Sequence, residues 1–235
     1  MALDIPEQLV KIDTGPVRLE GNLSLPEAAG GVVLFAHGSG SSRHSPRNRH
    51  VARVLNEAKL ATLLVDLLTP AEEAVDLHSG HLRFDVGLLA GRLTGVTEWL
   101  TQYRETHQLT IGYFGASTGA GAALVAAAEF PELIGSVVSR GGRPDLAESA
   151  LARVRAPTLL IVGGNDLPVL TLNEEAFAQL RTAKRLVVVP GATHLFEEAG
   201  ALDEVARLAR DWFEQHLMRA QSHAAPSENV GRENK

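Results

Sequence analysis

Six short apolar runs punctuate the chain: GVVLFAH over 31–37, ATLLVDLL over 61–68, LTIGYFG over 109–115, LIGSVVS over 133–139, APTLLIVGG over 156–164 and RLVVVPG over 185–191. Each is continuously hydrophobic rather than alternating, as expected of a strand buried on both faces of a parallel sheet. Ahead of them, residues 8–13 and 17–25 flank Thr14-Gly15-Pro16, with Leu19, Leu23 and Leu25 marking one half-buried face. That pattern predicts an antiparallel hairpin and brings the strand total to eight. Between the strands, 47–59 and 85–104 carry apolar residues at three- and four-residue spacing, 118–129 is built almost wholly from small residues, and 173–180 and 202–217 complete the helices. Alternating β and α with buried strands predicts an eight-stranded, mostly parallel sheet with helices on both faces. Residues 66–84 read as the longest irregular connection, the kind of loop that often serves function. From Arg219 the chain turns polar and loses periodicity, so a single domain over 1–218 and a flexible tail over 219–235 are expected.

Composition narrows the function classes. The 235 residues are 45% hydrophobic, enough for a layered core, and carry a net charge of −6. An acidic balance argues against a nucleic-acid partner. No stretch reaches the roughly 20 apolar residues that span a bilayer, and the opening MALDIPEQLVKIDTG lacks the apolar run of a signal peptide. The expectation is a cytoplasmic protein with neither membrane nor nucleic-acid partner. The absence of cysteine excludes a disulfide framework and a thiol nucleophile.

The chemistry gathers at strand ends. Gly115-Ala116-Ser117-Thr118-Gly119 is a G-x-S-x-G placed between a buried strand and a small-residue helix. In that context the serine occupies a sharp strand-to-helix turn with its hydroxyl exposed above the sheet. Ser117 is therefore the expected nucleophile. Of nine histidines, His194 follows the strand ending in Pro190-Gly191 and falls at the same sheet edge, which makes it the expected base. Asp166 is the first acid past the preceding strand and would orient that histidine, with Asp145 as the alternative. The backbone N–H of Thr118 and that of Ser39, in His37-Gly38-Ser39-Gly40, are the expected donors to a developing oxyanion, with Gly38 or Gly40 as alternatives to Ser39. Arg140 and Arg43 are candidates to hold a substrate carboxylate, although loop arginines are as often paired with acids or solvated. His78 and His81 form an H-x-x-H pair without a third ligand in register, so no metal site is expected.

The order Ser117, Asp166, His194 and the four placements together resemble the α/β-hydrolase fold from the hairpin to about residue 217. Within it the chain is most similar to dienelactone-hydrolase-like proteins. The similarity rests on HGSGSSRHSPRNRHVA (37–52), DLLTPAEEAVD (66–76), GASTGAGAAL (115–124) and SRGGRPDL (139–146). The resemblance implies a compact enzyme without a large cap domain, acting on an ester or lactone without metal or organic cofactor. It departs in one respect: the namesake enzymes use a cysteine nucleophile, whereas this chain has Ser117. An acyltransferase using the same acyl-enzyme, or a non-catalytic small-molecule-binding protein, would share the same fold.

Overall fold

The computed structural model describes residues 5–218; the polar tail expected over 219–235 lies outside them. Eight strands, β1 (Glu7–Asp13), β2 (Arg18–Ser24), β3 (Val32–Ala36), β4 (Ala61–Val65), β5 (Ile111–Ala116), β6 (Ile134–Arg140), β7 (Thr158–Gly163) and β8 (Lys184–Val189), form one sheet in the order β1-β2-β4-β3-β5-β6-β7-β8. The hairpin β1–β2 is antiparallel and β2 joins β4 antiparallel, while β3 to β8 pair in parallel. This is the predicted α/β-hydrolase architecture, and among the described residues no cap domain is inserted.

Burial on both faces explains the unbroken apolar runs. Along β3, Val33 and Phe35 enter the core shared with the helices α1 (Pro46–Glu57) and α6 (Ala201–Phe213), while Val32, Leu34 and Ala36 face the opposite core. That second core lies against α3 (Val86–Gln102) and α4 (Thr118–Glu129). Phe35 and Phe114 touch across neighbouring strands with ring centroids 4.9 Å apart. Opposite them, the buried Tyr113 hydroxyl meets Thr97 Oγ1 of α3 at 2.5 Å, which satisfies a polar group that would be costly to bury alone.

The order of strands positions the site. From β3 the chain moves outward to β4, then crosses back to β5 on the other side of β3. The carboxyl ends of β3 and β5 therefore border the point where winding reverses, the usual ligand crevice of an open parallel sheet.

Three stretches differ from the sequence-based expectation, one of them the 3-10 helical segment Pro144–Arg153, where no helix is expected. The presumed loop 66–84 contains a helix, α2 (Pro70–Ser79), and a 3-10 turn over Leu82–Phe84. Thr69 and Glu72 form a reciprocal capping box and Gly80 (φ 67°) ends the helix. No apolar stripe announces α2, because Val75 and Leu77 are exposed. The fifth helix, α5 (Leu167–Gln179), begins directly after Asp166, six residues before the periodicity suggests, with Pro168 in its first turn.

Asp76 ties α2 to the 3-10 turn over Leu82–Phe84. Its buried carboxylate accepts hydrogen bonds from the Leu82 and Arg83 amides and from Arg83 Nε at 2.5 Å. Burial alone would raise its pKa, but the Arg83 side chain and the two amides outweigh that and hold it below the ordinary 3.8. A depressed carboxylate stabilises the fold at pH values above its unfolded pKa, and that contribution disappears as pH falls through the folded value. Asp76→Asn is therefore expected to melt below wild type at neutral pH, with the difference beginning to shrink near about pH 4 and closing only as pH falls through the lower folded value. Circular-dichroism melts across pH check this, and an equal difference at every pH would contradict it.

Candidate active site

Ser117 is the single residue between β5 and α4, at φ 50° and ψ −124°. A non-glycine residue there carries about 1–3 kcal/mol of strain and persists only where its surroundings over-determine it. Its N–H donates to Arg140 O at 3.4 Å, and its carbonyl accepts from the Ala120 and Arg143 amides at 3.1 and 3.0 Å. The flanking glycines are required by contact. A Cβ on Gly115 would lie 2.4 Å from Ala120 Cα, and one on Gly119 would lie 2.3 Å from the Ala36 carbonyl oxygen. The Ser117 side chain does not cap α4, and the Thr118 N–H in the first turn has no acceptor among the described residues.

Asp166 and His194 meet because the loops after β7 and β8 are laced together. The Gly164 and Asn165 amides donate to Val189 O and Ala192 O, each at 2.9 Å, and Asn165 Nδ2 donates to Gly191 O at 2.9 Å. His194 Nδ1 then lies 2.7 Å from Asp166 Oδ2. A carboxylate only accepts, so Nδ1 is the donor, and it is the neutral Nδ1–H tautomer that offers a lone pair at Nε2. The ring stands beside Gly141, one residue past Arg140, and Arg140 pairs with Ala116: a Cβ on Gly141 would lie 3.5 Å from His194 Nδ1. No hydrogen bond joins Ser117 to His194 in this structure; such contacts commonly tighten only with substrate.

Sequence reasoning missed the supports of the histidine loop. Glu198 accepts from Thr193 N–H and Oγ1 at 3.1 and 2.6 Å. Phe196 is buried at φ 57° with its N–H on Thr193 O. A run such as T-H-L-F-E-E gives no helical or strand period that would reveal this clasp.

The loop after β3 packs against the elbow. A Cβ on Gly38 would come 2.9 Å from Ser117 Cβ, and Gly40 takes φ 70° in the turn closed by Ser41 N–H on Gly38 O. His37 is buried, accepts the Leu67 N–H at Nε2 and turns Nδ1 toward Gly38 O, which anchors the loop to the chain after β4. The Ser39 N–H, expected to face an oxyanion, donates instead to Thr118 Oγ1 at 3.0 Å. A cavity of about 470 Å³ opens between this loop and α2, bordered by His37, Ser39, Arg47, Leu77 and Arg83.

The two candidate arginines have different surroundings. Arg43 is held by Asp66 through both backbone and guanidinium and by Glu20 at 2.7 Å. Arg140 is buried, has no carboxylate partner among the described residues, meets Asn48 Oδ1 at 3.4 Å and lies 6.0 Å from the Phe196 ring centre. Burial, and then the charge of Arg47, bring its pKa down to about 10. Asp145, the alternative acid, is engaged by Arg143 at 2.9 and 2.7 Å. His78 and His81 turn Nδ1 toward Ala74 O and Ser79 Oγ, and among the described residues no group of His, Asp or Glu is arranged to hold a metal.

Known proteins share this architecture. A dienelactone hydrolase from Anabaena variabilis is 64% identical and superimposes with a TM-score of 0.90 over 91% of this chain and 99% of its own. A lidless serine hydrolase from Xanthomonas campestris shares the fold at 20% identity, with a TM-score of 0.72 over 90% of this chain and 95% of its own. A Mycobacterium tuberculosis protein provisionally named a phosphoribosyl transferase is 58% identical over 90% of this chain and 47% of its own length. The chain thus spans about half the length of such curated relatives. The model of the dienelactone hydrolase family matches residues 72–219, a span that includes Ser117, Asp166 and His194. The chain belongs to the dienelactone hydrolase family.

Proposed function

We propose that this protein is a serine hydrolase that cleaves a carboxylic ester or lactone through an acyl-enzyme. The observation that carries the reading is the Asp166–His194 pair, 2.7 Å apart, at strand ends next to a strained serine with a free helix amide behind it. His194 Nε2 takes the proton of Ser117 Oγ as the oxygen bonds to the substrate's acyl carbon, and the carbonyl π pair moves onto oxygen. Collapse of that intermediate breaks the bond to the alcohol oxygen, which leaves with the proton from His194. Water then repeats the sequence against the acyl-enzyme and releases the acid. Asp166 holds the Nδ1–H tautomer and stabilises the transient imidazolium. The names of the Anabaena and Xanthomonas proteins are consistent with hydrolysis.

For the charge of the substrate, Arg140 favours an ester bearing a carboxylate, because a buried cation without an acidic partner lowers the cost of bringing in an anion. Arg43 does not share this role, since Asp66 and Glu20 already neutralise it.

Ser117→Ala is expected to reduce ester turnover by about a million-fold and Asp166→Asn by about 10⁴-fold. Steady-state rates on activated esters check both, and wild-type turnover in Ser117→Ala would sink the mechanism. Arg140→Gln is expected to lower kcat/KM about tenfold for a carboxylate-bearing ester and much less for its neutral methyl analogue. Equal losses on the two substrates would remove Arg140 from substrate recognition.

A further inference from the structure

Thr118 follows the nucleophile, and its side chain has a place in the site that the backbone motif does not explain. Its hydroxyl oxygen accepts the Ser39 N–H at 3.0 Å. An amide has one hydrogen, so in this arrangement Ser39 could at best share it with a substrate oxygen. The Thr118 hydroxyl, in contrast, keeps its own hydrogen, and no acceptor for it exists among the described residues. A buried hydroxyl that accepts a hydrogen bond and leaves its donor unused is poised for an incoming acceptor.

We propose that the Thr118 hydroxyl, backed by the Ser39 N–H, is the second hydrogen-bond donor to the substrate oxyanion, beside the Thr118 N–H. This assignment rests on the serine-hydrolase reading above. The two donors sit on one residue at the first turn of α4, where the helix amides face the developing charge. The loop carrying Ser39 is pressed against the elbow, since a Cβ on Gly38 would lie 2.9 Å from Ser117 Cβ. The hydroxyl thus lies at the seam where loop and nucleophile meet. Receiving the Ser39 hydrogen bond polarises the O–H and strengthens it as a donor. The Thr118 proton stays on its oxygen throughout; it stabilises charge and transfers nothing. Ser39 then acts as a positioning residue through its backbone, which explains why its amide points at a side chain rather than into open space.

The competing arrangement makes the hydroxyl a plug that withdraws when substrate arrives and releases the Ser39 N–H to the oxyanion. The two predict opposite effects of Thr118→Val, which keeps the shape, deletes the hydroxyl and frees the amide. The experiment is steady-state hydrolysis of p-nitrophenyl acetate by wild type, Ser117→Ala, Thr118→Val, Thr118→Ala and Thr118→Ser, with thermal melts of each. If the hydroxyl is a donor, Thr118→Val and Thr118→Ala lose about 100-fold in kcat with KM within about twofold, and Thr118→Ser recovers most of the rate. Thr118→Ala provides the reading if the valine variant melts early. Undiminished or raised kcat in Thr118→Val or Thr118→Ala overturns this assignment while leaving the serine mechanism intact. Failure of Thr118→Ser to recover the rate also overturns it. Wild-type turnover that does not depend on Ser117 overturns the serine mechanism and this assignment together.

Discussion

The contact on which the site depends is that of Gly119 with the last carbonyl of β3 and the first one after it. With a Cβ on Gly119 only 2.3 Å from Ala36 O and 2.5 Å from His37 O, any larger residue would force β3 and α4 apart. Their closeness lets the chain pass from strand to helix through a single residue, and it leaves Ser117 at φ 50°. Strain of about 1–3 kcal/mol is then held in place by the sheet on one side and by the Ala120 and Arg143 amides on the other. The same contact brings Gly38 against Ser117, so the loop after β3 is part of the elbow rather than a neighbour of it.

Much of the fold was legible because its strands are buried on both faces. Runs such as LLIV (159–162) in β7 admit no polar position, and their spacing with helical segments specifies a parallel sheet. α2 was not legible by periodicity because the helix buries little apolar surface; Asp76 and its hydrogen bonds to Arg83 hold it in place. Its capping box, Thr69 to Glu72, and Gly80 were the available signals. The start of α5 was obscured in a similar way, since LPVLTL is apolar at every position but Thr171 and shows no helical period.

The site followed the same division. Chain order and strand ends were sufficient to put Asp166 and His194 together, because parallel strands deliver their following loops to one edge. Side-chain pairing was beyond reach. Nothing in H-G-S-G indicates that the Ser39 amide meets a threonine 79 residues later, or that Arg43 is neutralised by Asp66 and Glu20 while Arg140 lacks any acid among the described residues. Those assignments depend on which face a side chain leaves from and what stands opposite, information that strand register supplies and a motif does not.

If Ser117 is a nucleophile activated by the fold, it should react with a fluorophosphonate only in the folded protein. The direct measurement is to treat the folded chain with that reagent and map the modified residue by mass spectrometry. Stoichiometric modification of Ser117 alone is expected, abolished by denaturation and strongly slowed in His194→Ala. An unmodified Ser117, or modification at the same rate without His194, would contradict fold-driven activation.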